Sequence, residues 1–190
     1  MSEPEDDTRL VAAMAQGDTR ALEVLADRHG PPLMRLAYRM LDDAAEAEDV
    51  TQEAFVRLWD RAAGWVSHGG GVAGWLRRTA TNACIDRMRR RSRLADAPDV
   101  DRPDESPGAE RMIDAARLGT LVQRALATLP ERQRAAVVLT YYEEITNAAA
   151  AEILDMHLKA FESLLFRARA RLRDGLAAAG VTAEDLEGWS

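Results

Sequence analysis

Seven arginines and one aspartate fall within residues 77–93, and five basic residues against one glutamate fall within residues 159–173. Cationic side chains at that density neutralise phosphate oxygens well, and arginine also pairs with base edges. In the first cluster, helical spacing puts Arg78, Asn82, Asp86, Arg89 and Arg90 roughly on one side. An amide among cations, beside the glycine-rich stretch 64–74, suits single-stranded DNA, whose bases can be turned out and held. Trp75 opens this helix, where it serves either as core packing or as a surface facing DNA.

The second cluster lies in a segment with helix-turn-helix form, residues 146–169. Small residues in a short first helix let a second helix cross it closely, with Ala149, Ala150, Ile153, Met156, Phe161 and Leu164 as the shared core. The second helix can then present His157, Lys159, Ala160, Glu162, Ser163 and Arg167 to a major groove. Arg169, Arg171 and Arg173 extend the positive charge to where phosphates lie. Asp155 stands where a turn glycine is common, and it tolerates the left-handed conformation better than most residues. Glu162 could accept from cytosine N4. A plain helical hairpin with a solvated arginine-rich face is the alternative.

A third pattern is acidic. Asp49, Gln52, Glu53 and Val56 fall at i, i+3, i+4 and i+7, giving a polar-edged helical face. Such a face is either solvated or docked on a basic partner, with Phe55 or Val56 as the apolar anchor. Paired carboxylates or a nucleophile beside a base are not visible, so an enzyme is not expected. Cys84 is the single cysteine, which excludes an intrachain disulfide and a cysteine-based zinc cluster; the histidines at 29, 68 and 157 are scattered. No metal or cofactor is expected, and Cys84 reads as a small core residue. There is no apolar run near the ~20 residues needed to span a bilayer and no signal-peptide pattern, so the expected location is the cytoplasm, without membrane insertion.

The elements that must position these faces are helical. The chain has 190 residues, 47% hydrophobic and 5% aromatic, and is rich in Ala, Leu and Arg, which favour helix. The net charge of −7 is unevenly spread, with acid concentrated near the N-terminus and in residues 96–110. Helices are expected from about Thr8, with Thr8 or Asp7 as N-cap, to the Gly17-Asp18 stop, from Asp18 or Thr19 to His29, over 33–41 after a Gly30-Pro31-Pro32 break, over 44–61, and over 75–91. Residues 92–107 hold four Asp, one Glu and three Pro, a composition that reads as a flexible linker. Helices over 109–127, 131–142, 146–153 and 158–176 follow. The fold expected is all-α, with two small helical domains joined by an acidic linker.

These pieces together resemble the extracytoplasmic-function sigma factors, the smallest members of the sigma-70 family. The resemblance rests on Asp49-Val-Thr-Gln-Glu-Ala-Phe-Val-Arg-Leu-Trp, Gly74-Trp-Leu-Arg-Arg-Thr-Ala-Thr-Asn, the arginine run, Leu129-Pro-Glu-Arg-Gln-Arg-Ala-Ala-Val-Val-Leu and the helix-turn-helix, in that order. It implies sigma region 2 over residues 8–93, a linker over 94–108 and region 4 over 109–178. It implies that Asp49, Gln52, Glu53 and Phe55 meet the clamp coiled coil of RNA polymerase β′. Trp75, Arg78, Asn82, Asp86, Arg89 and Arg90 would melt and read the −10 element. His157, Lys159, Ala160, Glu162, Ser163, Arg167 and Arg171 would read the −35 element, near the β flap. An anti-sigma factor as inhibitor and a monomeric free state are also implied. The sequence departs from the pattern at Asp155, in the extra glycines of 64–74, and within Tyr141-Tyr142-Glu143-Glu144, where a Gly is common. A stand-alone helix-turn-helix regulator is the competing reading, and it leaves the first half of the chain unused.

Overall fold

The structure, a computed structural model, describes residues 3–67, 70–95 and 115–181, and among them every regular element is helical. The first domain is built from α1 (Glu3–Met14), α2 (Thr19–Leu41), α3 (Ala44–Arg61), a 3₁₀ turn (Ala62–Gly64) and α4 (Gly71–Ala95). Its core is closed by Val11, Leu25, Leu36, Met40, Val50, Leu58 and Leu76, all essentially without solvent contact. Burial of each such side chain contributes about 1.5–3 kcal/mol before entropy is charged against it.

Three boundaries differ from the sequence expectation, each for a physical reason. Helix α1 starts at Glu3, upstream of the expected caps. Asp7 does not cap it; the carboxylate is 4% exposed, lies 2.7 Å from His29 Nε2 and accepts from Arg28, which also donates to Asp6 at 2.9 Å. The expected break at Gly30-Pro31-Pro32 is absent, and α2 runs through both prolines. Interior proline costs about 3 kcal/mol, but Leu25, Leu33, Leu36 and Met40 bury one continuous face across it. Gly30 also lacks the Cβ that would crowd the following proline ring. Helix α4 begins inside the glycine-rich stretch, because Val72 and Leu76 are buried. Gly70 has φ +84°, and a Cβ there would lie 3.2 Å from Gly74 Cα, so this corner requires glycine.

The α2–α3 corner follows the sequence closely. Asp42 takes the left-handed conformation (φ 55°), and Asp43 caps α3 by accepting from the Glu46 amide at 3.0 Å. Arg91 near the end of α4 ties this corner down, reaching Asp43 (3.1 Å), Glu46 (2.8 Å) and the Leu41 carbonyl (3.0 Å). Together the Glu46 amide and Arg91 hold the Asp43 carboxyl below its usual range.

On α4 the buried stripe is Leu76, Ala80, Thr81, Cys84 and Ile85, while Ala83 and Met88 sit at its edge. Burial pushes the Cys84 thiol up to about 12, consistent with a core residue. At pH 8 the thiolate fraction is then on the order of 10⁻⁴. Native protein is expected to resist iodoacetamide at that pH and to react only after unfolding; rapid native labelling, read by mass spectrometry, would contradict this.

The second domain comprises α5 (Ala115–Ala127), α6 (Glu131–Val137), a π-helical turn (Val138–Tyr142), α7 (Asn147–Ile153) and α8 (Leu158–Ala178). Thr146 caps α7, accepting from the Ala149 amide at 3.3 Å. Asp155 turns the chain at φ 52°, as its position implied, and Glu144 has the same φ. Ala150, Ile153, Phe161 and Leu164 are buried where the two helices cross, with Met156 partly buried beside them. Most of the expected linker, along with residues 109–114, lies outside the described residues.

Candidate nucleic-acid interface

Helix α4 displays Arg78, Asn82, Asp86 and Arg90 to solvent, with Trp75 and Arg89 half-buried beside them. These are the residues that helical spacing grouped together, and the opposite stripe fixes their direction by entering the core. Trp75 meets Trp65 edge-on, ring centroids 5.8 Å apart. Trp65 was not singled out from the sequence; its indole N–H is buried without a partner among the described groups. Both rings line a cleft of about 440 Å³ with Val66, Gly70, Gly71 and Gly74. The far wall of that cleft belongs to the second domain, at Ile145, Thr146, Ala149 and Glu152.

Two arginines of this face, and Arg77 beside them, lie against carboxylates of the second domain. Arg89 donates to Glu131 at 2.9 Å, Arg77 lies 3.5 Å from Glu143, and Arg78 lies 3.8 Å from Asp155. The bond from Arg89 holds the Glu131 carboxyl below its ordinary 4.5. Its stabilising contribution is complete above that ordinary value and is lost as pH falls through the lower value of the folded state.

On α8 the side opposite the core is Lys159, Glu162, Ser163, Phe166 and Arg167, all exposed; Ala160, Arg171 and the N-cap residue His157 are exposed too. Ser163 donates to the Lys159 carbonyl at 2.9 Å, and Arg167 donates to the Ser163 carbonyl at 3.3 Å. Phe166 is 67% exposed at the centre of this side. Sequence reasoning missed it. The usable signal was its spacing of three from Ser163 and seven from Lys159, which puts it off the buried stripe of Phe161, Leu164, Leu165 and Ala168.

On α3, Asp49 and Gln52 are exposed and Glu53 is half-buried, while Val56 is 59% exposed. Phe55 departs from the expected surface: it is 8% exposed and packs in the core near Gly30. The apolar part of this face is therefore Val56. Glu53 is held by Arg57 at 2.5 Å and Arg87 at 3.4 Å.

Two families match the chain in the order of its two domains: Sigma-70 region 2 over residues 25–94 and Sigma-70, region 4 over residues 120–172. The ECF RNA polymerase sigma factor SigE of Mycolicibacterium smegmatis is 37% identical over 183 residues, covering 92% of this chain and 70% of that protein. The ECF RNA polymerase sigma factor SigM of Mycobacterium tuberculosis is also 37% identical, covering 87% of this chain and 82% of its own. This chain belongs to the extracytoplasmic-function sigma factors. The solved structure of CnrH in complex with the cytosolic domain of CnrY superposes with a TM-score of 0.64 at 28% identity, covering 90% of this chain and 97% of CnrH. The sigma factor RpoE of Bartonella quintana, solved with the anti-sigma factor NepR, shares the fold at a TM-score of 0.62 and 23% identity, over 82% of this chain and 96% of its own. The region 2 match covers α4 up to its last residue, and the region 4 match covers the first two thirds of α8. Among the described residues, no helix is long and apolar enough to cross a membrane, and no cluster of metal-ligating side chains occurs.

Proposed function

We propose that this sigma factor binds core RNA polymerase in the cytoplasm, directs it to promoters through −10 and −35 elements, and helps to open the DNA. The observation that carries this reading is that α4 and α8 each turn a basic, exposed side away from the core, within family matches to regions 2 and 4. Residues 8–93 act as the unit for polymerase docking and the −10 element, and residues 109–178 as the unit for the −35 element.

The α3 face of Asp49, Gln52, Glu53 and Val56 docks on the β′ clamp. Charge lets it recognise a basic surface, and Val56 supplies the apolar contact first assigned to Phe55. On α4, Arg78, Arg89 and Arg90 hold phosphates, while Asn82 and Asp86 contact an exposed base. Trp75, braced by Trp65, supports the opened strand, because aromatic rings stack on any base. On α8, His157, Lys159, Ala160, Glu162 and Ser163 face the major groove, with Arg167 and Arg171 on base edges or phosphates; Phe166 adds an apolar surface suited to a thymine methyl. Each domain alone neutralises few phosphates, and tethering on polymerase supplies the effective concentration to read both elements together. Catalysis belongs to the polymerase. Inhibition by an anti-sigma factor completes the reading, supported by CnrH having been solved with a bound protein partner.

The competing stand-alone regulator predicts specific duplex binding without polymerase. Gel-shift assays with and without core separate the two, since the sigma reading requires both proteins for a specific complex. Arg167→Ala is expected to weaken protection of the upstream element by about 1–3 kcal/mol, roughly 5- to 150-fold. An unchanged footprint there would contradict the α8 assignment.

A further inference from the structure

The chain carries a net charge of −7, yet one concave part of its surface is cationic. A cleft of about 480 Å³ lies between the last turns of α2 and the middle of α5, with Tyr142 of the π turn as a further wall. A volume of that size takes a small molecule. Arg35, Arg39 and Arg124 line it against a single acid, Asp42. Its described lining residues all lie outside α3, α4 and α8, the helices assigned above to polymerase and DNA.

Arg35 and Arg39 stand one turn apart on α2, about 6 Å along its axis. Neither has a carboxylate within ion-pair reach among the described residues. Guanidinium groups so spaced suit successive phosphoryl groups, which they grip through paired N–H donors. The Arg39 guanidinium also lies over the Tyr142 ring, 4.4 Å from its centroid, which holds its plane. Tyr38 is 45% exposed at the same cleft, an aromatic face on which any base can stack. Gln123 donates its side-chain amide to the Tyr38 and Arg39 carbonyls, at 3.4 and 3.2 Å, so its own carbonyl oxygen remains an acceptor. That oxygen and the Asp42 carboxylate can take hydrogen bonds from base amino groups or ribose hydroxyls.

Gly119 supplies an independent observation. It lies inside α5 without a positive φ, and a Cβ built on it meets no atom within 4 Å. Neither backbone nor packing requires glycine there, and glycine inside a helix is less stable than alanine. The missing side chain leaves open space in the wall of the cleft.

We propose that this cleft binds a nucleoside polyphosphate, with its phosphates on Arg35, Arg39 and Arg124 and its base against Tyr38. Cations alone would serve any polyanion; the exposed ring and the two acceptors select the nucleoside. The site goes beyond the promoter-directing role and does not depend on it. Its walls come from both domains, so occupancy is linked to any step that moves α2 against α5, which gives a nucleotide pool a handle on the chain.

The test is isothermal titration calorimetry of the full-length chain with ATP and GTP at fixed salt, beside inorganic tripolyphosphate and the unphosphorylated nucleosides. Saturable nucleotide binding at one site per chain is expected, with tripolyphosphate about tenfold weaker and the nucleosides without measurable heat. R35Q/R124Q removes two cations at exposed positions. It is expected to weaken nucleotide binding by about tenfold or more. G119F fills the cleft without changing charge and is expected to abolish binding; because it could also disturb α5, the arginine pair gives an independent reading. A control, R20Q/R173Q, removes the same charge at exposed positions elsewhere and should bind as wild type does. Absence of saturable binding at millimolar nucleotide would overturn the proposal. So would tripolyphosphate binding as tightly as the nucleotides, undiminished binding by R35Q/R124Q and G119F, or an equal loss in the control. Capture by immobilised core polymerase is scored separately, and its failure would sink the sigma reading alone.

Discussion

Asp49→Arg is expected to abolish capture of this chain by core RNA polymerase while leaving its helical circular-dichroism signal and melting temperature unchanged. The side chain is exposed in mid-α3, so its reversal disturbs little in the free fold. Truncating one partner of a hydrogen-bonded interfacial charge pair costs about 2–5 kcal/mol, and reversal adds repulsion. The loss should therefore be about 30-fold to several thousand-fold in affinity, read by pull-down or biolayer interferometry. Glu53→Arg makes a less clean variant, because Glu53 also holds Arg57 and Arg87. Undiminished binding by Asp49→Arg would remove α3 from the polymerase contact.

Phe161→Ala should have the largest effect on stability. Phe161 has no solvent exposure and sits at the start of α8, where it crosses α7. Deleting a buried phenylalanine costs about 3–5 kcal/mol through lost transfer energy and a residual cavity. A domain of this size commands only about 3–10 kcal/mol in total. Residues of α6 to α8 are expected to lose hydrogen-exchange protection at 37 °C, while α2 and α3 retain theirs. Protection of α8 at the wild-type level would show that Phe161 is not the keystone of the second core.

The local signals in the chain were read well wherever one interaction type decided the outcome. Helix α3 matched over its full length because Asp43 caps it and Val50, Ala54 and Leu58 repeat at helical spacing. The helix-turn-helix followed from Thr146, the small residues of α7 and the corner at Asp155. The misreadings share a different cause, since each was settled by tertiary packing. Burial of Leu25, Leu33 and Leu36 carried α2 through two prolines, and Val72 drew α4 back into the glycines. Asp7 left its expected capping role for Arg28 and His29, more than twenty residues away. Phe55 is drawn into the core beside Gly30, while its neighbour Val56 faces out. The hydrogen bond from Arg134 to the Met40 carbonyl was illegible because the two lie 94 positions apart, and nothing local couples them.

The most direct test of the central claim is transcription by core polymerase with and without this chain, on genomic DNA, with the 5′ ends of the products sequenced. The expected result is a small set of start sites that require the chain and share two upstream sequence elements, with the Asp49→Arg variant inactive. Start sites identical with and without the chain would contradict its assignment as a promoter-directing subunit.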